Sequence, residues 1–231
     1  MALLRKALDF FARNEVDVYI PAAGISSKAM QVQPQDPAGL ADLTEPPRDL
    51  SNKILDVNVA AVYTGVLLVS RYGMGLHAPP PADSTAPKKA IILIGSLAGY
   101  SGAELSTEYT VAKWGIRGLL RGARKQLASL NVRLNLVAPF FVDTPLTAHL
   151  VPTFKEMGVA LATTAQVTEA VARLATDESA WGRSVVVMPE GLMDAGDDTR
   201  GAQGGKVLSA EGMGEQWRVF IDGAMSDEVG S

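Results

Sequence analysis

The chain has no cysteine in its 231 residues. Disulfides are therefore excluded outright, as is any metal centre that needs thiolate ligands. Histidine is nearly as scarce. His77 and His149 are the only two and lie far apart in sequence, so a zinc site of the usual Cys/His type cannot be assembled and no metal is expected. Positive charge is not in excess either: 21 Lys and Arg stand against 25 Asp and Glu, a net charge of -4. Without a basic field of the kind that phosphate backbones select, nucleic acid is not an expected partner. The N-terminus, MALLRKALDFFARNEVD, is amphipathic and charged from Arg5 onward. It lacks the uninterrupted apolar core and small-residue cleavage site of a secretory signal. No stretch is expected to serve as an uncharged membrane span, and a cytoplasmic location is the default expectation. Zero cysteine does not itself discriminate between compartments.

What remains is an ordinary globular composition, 47% hydrophobic and 20% charged, in a chain long enough to bury one core. Four runs read as strands: Val16–Ala23, Ala90–Ser96, Val132–Pro139 and Ser184–Pro189. The second and fourth have almost continuous apolar centres without two-residue alternation, which suits strands covered on both faces in a parallel sheet. Helical patterns lie at Ala2–Arg13, roughly Arg48–Gly75, roughly Glu108–Leu130 and roughly Thr164–Thr176. Helix alternating with strand implies an α/β fold with a doubly wound parallel sheet, and no two-residue hairpin signal joins adjacent strands. Gln31–Pro47 and His77–Lys89 are rich in proline and polar residues and read as surface loops. Residues 1–193 form one catalytic region on this reading. Residues 194–231 form a Gly-rich, acidic tail in which Gln216–Ile221 has the composition to dock.

Tyr109 and Lys113, four apart on a predicted helix, share one face about one turn from each other. A free tyrosine titrates near 10, so neutral-pH acid/base work requires help of about 3–4 kcal/mol, and a neighbouring ammonium favours the phenolate. On its own this spacing also suits a solvated helix face. Ser96 ends the apolar run Ala90–Gly95, at the expected carboxyl end of a strand, where open α/β sheets bind their ligands. It reads either as a holder of a substrate oxygen or as a strand-end serine satisfying a loop amide. Asn58 stands among apolar helical neighbours in DVNVAAVYTGVLLV and must find hydrogen-bond partners, as a structural bridge or as a link in a polar network.

Taken together, Asp56–Asn58 (DVN), Ser96, Tyr109 thirteen positions on, and Lys113 resemble the signature of the short-chain dehydrogenase/reductase family. Ala23-Gly24-Ile25 after the first strand, IGSLAGYSG, YTVAKWGIRGLLR and NVRLNLVAPFFVDTP add to the resemblance, which covers roughly residues 3–192 in the family's order. It implies a Rossmann-like fold and an NAD- or NADP-dependent oxidoreductase acting on a secondary alcohol or ketone of a small molecule. By resemblance, Tyr109 would be the general acid/base. Lys113 would lower its pKa and bond the nicotinamide ribose, Ser96 would polarise the substrate oxygen, and Asn58 would hold a water leading from Lys113 to solvent. Ala23, Gly24, Tyr109, Lys113, Pro139, Val142 and Thr144 would meet the cofactor, and residues from Thr144 to about Gly158 would form a substrate lid. The helices of Asn58 and Tyr109 pair between subunits in this family, which implies a homodimer or homotetramer. The run EPPRDLSNKILDVNVAAVYTG resembles the 15-hydroxyprostaglandin dehydrogenase branch.

The chain departs from the pattern in three places. The family opens with a strand, a Gly-rich turn and a helix that receives the pyrophosphate, whereas Met1 begins in what reads as the helix before the fourth family strand. Gly73–Gly75 ends a helix and runs into prolines, Gly212–Gly214 has no third glycine in place, and Gly201–Lys206 lacks a preceding strand and a Ser/Thr after the lysine, so none supplies that turn. Pro21-Ala22-Ala23-Gly24 replaces the usual Asn-Asn-Ala-Gly. Phe140 stands where a glycine usually follows the proline. An intact acid/base set without the pyrophosphate turn leaves two alternatives open: a cofactor-independent isomerase, lyase or cyclase, and a non-catalytic truncated homologue.

Overall fold

The computed structural model describes residues 2–10, 15–26, 53–75, 89–100 and 106–197. Among the described residues five strands form one sheet in the order β1-β2-β3-β4-β5. Its centre is β2 (Lys89–Ile94) and β3 (Val132–Pro139), where Ala90, Ile91, Ile92, Leu93, Leu134, Leu136, Val137 and Ala138 are all buried. These are the runs whose apolar residues do not alternate, and both of their faces are covered. β1 (Val18–Tyr19) pairs parallel with β2, β2 with β3, and β3 with β4 (Arg183–Met188).

Helices cover the sheet on two sides, giving the doubly wound arrangement expected from the sequence. On one side α2 (Lys53–Gly73) and α3 (Thr107–Ala128) bring Val62, Val66, Ile116 and Leu120 against Ile91, Leu93, Leu134 and Leu136. Leu4 of α1 (Ala2–Phe10) packs at the margin of this layer. On the other side α5 (Thr164–Thr176) sets Ala170 and Leu174 against Ile92, Val137 and Val187. A Thr163/Gln166 capping box starts α5, and the Gln166 amide also donates to the carbonyls of Met188 and Pro189. The buried guanidinium of Arg133 ends the helix, donating to the carbonyls of Leu174, Ala175 and Asp177 at 2.7–2.9 Å. These are the carbonyls that a helix leaves without partners, at the negative end of its dipole.

Three expectations need correction. The first strand is far shorter than Val16–Ala23, because it lies at the edge of the sheet. Val18 and Ile20 are over a third exposed there, and Pro21 has no N–H to continue a ladder. A two-residue hairpin does exist. β4 turns at Pro189-Glu190 into antiparallel β5 (Gly191–Asp197), so the tail boundary placed at residue 194 falls inside a strand. Gly191 supplies the turn with φ 141°, a conformation that favours glycine. Third, α2 at 21 residues is long and apolar enough to match a membrane span by length and composition. Its inner side is nevertheless core, with Ile54, Asn58, Val62, Val66 and Val69 buried, while Tyr63, Leu67 and Tyr72 are about half exposed. Gln216–Ile221 lies outside the described residues.

Candidate active site

The carboxyl ends of β1, β2 and β3 point the same way, and the candidate residues gather there. Ser96 lies just past β2 in extended backbone. Its hydroxyl accepts from the Ala98 N–H at 3.2 Å, capping a single tight turn at Leu97–Gly99. It also donates to the Pro139 carbonyl at 3.5 Å, a long bond that joins the end of β2 to the end of β3. Tyr109 stands in the first turn of α3, near enough to Ser96 for that hydroxyl to favour its phenolate. Lys113, one turn on, is only 7% exposed. Its Nζ donates to the Ile94 carbonyl at 2.9 Å and lies 5.4 Å from the centre of the Tyr109 ring.

The structure thus brings Ser96, Tyr109 and Lys113 together. Burial raises the Tyr109 phenol above its ordinary range, and the Ser96 hydroxyl offsets part of this. The Lys113 ammonium gives one of its donors to the strand-end carbonyl of Ile94. Burial lowers Lys113 itself to about 8.

Asn58 is fully buried in a wide π-helical turn of α2 at Asp56–Ala60. Such turns interrupt the regular ladder and recur at functional sites. Its amide Nδ2 donates to the Ile25 carbonyl at 2.8 Å, and its Oδ1 accepts from the Ile25 N–H at 2.9 Å. The side chain therefore acts toward Ile25 as a neighbouring strand would. It holds the extended segment beyond β1, where Ala23 and Gly24 are exposed. A Cβ on Gly24 would lie 3.5 Å from Asn58 Oδ1, an ordinary contact.

The remaining expected cofactor residues follow β3. Pro139 is its last residue, and Val142 is buried and bridges to Ala162. Thr144 is held through Thr147, whose hydroxyl accepts from the Thr144 N–H at 3.2 Å and donates to the Val142 carbonyl. The segment expected to form a lid carries one short helix, α4 (Val151–Glu156), with no buried residue.

Two residues of the site escape a reading by motif. Gly99 lets the Ser96 turn touch α3: a Cβ there would meet the Lys113 carbonyl oxygen at 2.8 Å. Arg117, 3% exposed, donates to the Gly99 carbonyl at 3.2 Å and lies 4.1 Å from the Tyr100 ring centre. The available signal was the stripe Tyr109, Lys113, Arg117 at i, i+4 and i+8, since a third long polar side chain on a face that enters the core must have a buried partner.

The nicotinamide end of a dinucleotide fits these residues. Lys113 has three N–H bonds and one acceptor, which leaves two donors for a pair of vicinal hydroxyls at the strand ends. Among the described residues, no glycine-rich strand-to-helix turn is present for a pyrophosphate.

A family model described as short chain dehydrogenase matches residues 1–155. The chain is 31% identical over 216 residues to the 5'-hydroxyaverantin dehydrogenase of Dothistroma septosporum, covering 88% of this chain and 68% of that one. It is 29% identical over 221 residues to the 5'-hydroxyaverantin dehydrogenase of Emericella nidulans, covering 90% and 71%. Among solved structures it resembles a 3-oxoacyl-[acyl-carrier protein] reductase from Brucella melitensis in complex with NAD. The TM-score is 0.63 at 21% identity, over 81% of this chain and 71% of that one. This last likeness shows the fold.

Proposed function

The chain belongs to the short-chain dehydrogenase family, and on that premise we propose that it interconverts a secondary alcohol and a ketone on a small organic substrate, with Tyr109 moving the proton. As a member of this family it is an oxidoreductase. The observation that carries the assignment is the buried Lys113 ammonium, 5.4 Å from the Tyr109 ring and bonded to the end of the strand that leads into Ser96.

NAD or NADP, when bound, supplies or accepts the hydride, with Ala23, Gly24, Lys113, Pro139, Val142 and Thr144 as the residues that would hold its nicotinamide end. Toward a ketone, Tyr109 donates its phenolic proton to the carbonyl oxygen, and toward an alcohol it takes the hydroxyl proton. Burial keeps the phenol protonated at neutral pH, so the described state is loaded for reduction. Ser96 polarises the same oxygen; its 3.5 Å bond to Pro139 is weak enough to give up when a better acceptor arrives. Lys113 keeps a positive charge one turn from the phenol and offers its two remaining donors to ribose hydroxyls. Asn58 fixes the Ala23–Ile25 segment against α2, and a water carried on its π-turn toward Lys113 belongs to the same proposal.

NADH or NADPH consumption, followed by absorbance with a panel of ketones, tests this reading, together with calorimetric titration of both dinucleotides. Turnover with at least one ketone supports it. Proton-transfer chemistry on a substrate with no dinucleotide bound would favour the cofactor-independent reading, which the lack of a pyrophosphate turn among the described residues motivates.

Self-association is part of the proposal. Tyr63, Leu67 and Tyr72 on α2 and Val111 and Trp114 on α3 are between 43% and 53% exposed, an unusual amount of large apolar surface on two helices. A cytoplasmic homodimer or homotetramer covers it. Light scattering of the soluble fraction is expected to give an oligomer, and Trp114→Glu with Leu67→Glu to give smaller species. A monodisperse wild-type monomer would contradict this.

A further inference from the structure

We propose that the substrate carries a planar aromatic ring close to the reacting carbon, and that Phe140, Phe141 and Phe154 form the wall that receives it. This rests on the oxidoreductase reading and names the substrate class of the same site. Phe140 follows Pro139 directly, so its Cα lies about 3.8 Å from that of the residue whose carbonyl accepts from Ser96. The pairing of β3 with β4 continues through it, since the Phe140 N–H donates to the Val187 carbonyl at 2.9 Å. Along β3, Leu134, Leu136 and Ala138 pack into the layer that contains α3, whereas Val137 packs into the layer of α5. Strand alternation carries Phe140 onto the side of Leu134, Leu136 and Ala138, which is the side of Tyr109 and Lys113.

Beyond Phe140 the strand pairing ends, and the other two rings are tied to it by contacts from ring to ring. Phe141 lies edge-on to Phe140 with centroids 5.0 Å apart, and Phe154 from α4 lies 4.5 Å from Phe141. The lid leaves and returns to one point, because the Phe141 carbonyl accepts from the Ala162 N–H at 2.9 Å and Val142 bridges to Ala162. That closure brings Phe154 back over the strand end. All three rings remain partly exposed. Leu146 and Met157 on the same segment are 40% and 68% exposed, so the lid presents apolar surface that no described residue covers. Between Pro139 and Ala162 the only Lys or Arg is Lys155, which suits an uncharged ring better than a phosphate-bearing substrate. An aromatic pair contributes about 0.5–1.5 kcal/mol beyond its buried area, which is roughly a two- to tenfold preference for an aryl over a saturated ring of equal bulk.

Phenyl methyl ketone and cyclohexyl methyl ketone share a methyl ketone and a six-membered ring, and differ in the aromaticity of that ring and its conjugation with the carbonyl. Their dissociation constants with the full chain, from saturation-transfer NMR titration with and without NADPH, are expected to favour the aryl ketone by about two- to tenfold. Phe140→Leu is expected to erase most of that preference, and Phe154→Leu part of it. Equal binding of the two ketones by the wild-type chain overturns the proposal, as does a preference that survives both substitutions. An aryl preference in binding without NADPH consumption would overturn the oxidoreductase reading and leave the aromatic wall standing. Turnover of both ketones with no preference would do the reverse. Should Phe140→Leu not fold, the wild-type comparison and Phe154→Leu still decide.

Discussion

The two halves of the candidate site are built to different standards. The half made by the Ser96 turn and α3 is tight. Glycine is required at position 99 for contact, Arg117 bonds across the gap, and Tyr109 and Lys113 are fixed on a 22-residue helix whose inner face is core. The half beyond β1 is loose: a two-residue edge strand leads into an extended segment that one side chain, Asn58, holds by both backbone groups of Ile25. Proton transfer tolerates little misplacement, since acid, base and reacting oxygen must stay within hydrogen-bond reach. The comparison teaches that the chain's described residues fix the geometry of the proton step more firmly than that of dinucleotide binding.

Asn58→Ala is the change expected to separate the halves most. It leaves the Ile25 N–H and C=O without partners beside a buried helix turn, at about 1–3 kcal/mol for each group left unsatisfied. Thermal melts should show that loss, and dinucleotide affinity should fall with it. The pH dependence of the ketone reduction step should stay where it was. Gly99→Ala attacks the other half. Its methyl would meet a backbone oxygen that cannot rotate away, so α3 or the Ser96 turn must shift, at about 1–3 kcal/mol as in overpacked cores. Here the pH profile should move upward, because the Ser96 hydroxyl that lowers the phenol is pulled away, while dinucleotide affinity changes little.

A smaller effect comes from Lys113. Burial depresses its pKa from 10.5 to about 8, so the folded chain binds fewer protons than the unfolded chain between about 8 and 10.5. Stability therefore rises with pH across that window, and the penalty of the buried charge is present in full below it. Lys113→Met is expected to melt at a higher temperature than wild type at pH 7, with the difference shrinking toward pH 10, while reduction is impaired. In the wild type, ketone reduction should decline above about pH 8 as the ammonium is lost.

Much of this was legible from residue order. The unbroken apolar runs of β2 and β3 report a sheet covered on both faces, and the Tyr109/Lys113 spacing reports a shared helix face. Other features depend on contacts that no local pattern encodes. β1 shrinks because it lies at the edge of the described sheet, a position that its apolar residues do not reveal. The Pro189-Glu190 turn, followed by Gly191 at positive φ, carries none of the Asn-Gly or Asp-Gly pairs that mark two-residue hairpins. Asn58 was recognised as needing partners, but Ile25 lies 33 residues away and nothing in the sequence names it. The apolar residues of α2 fall on both of its faces, and which of those faces is core depends on the sheet that it packs against.

The central claim is that the buried phenol of Tyr109 carries the proton. Single-turnover reduction of a ketone by wild-type and Tyr109→Phe protein, each saturated with NADPH, tests it most directly. The account predicts an unchanged fold and NADPH affinity, with a rate about 10²–10⁴-fold lower in the variant. Reduction by Tyr109→Phe at the wild-type rate would contradict it.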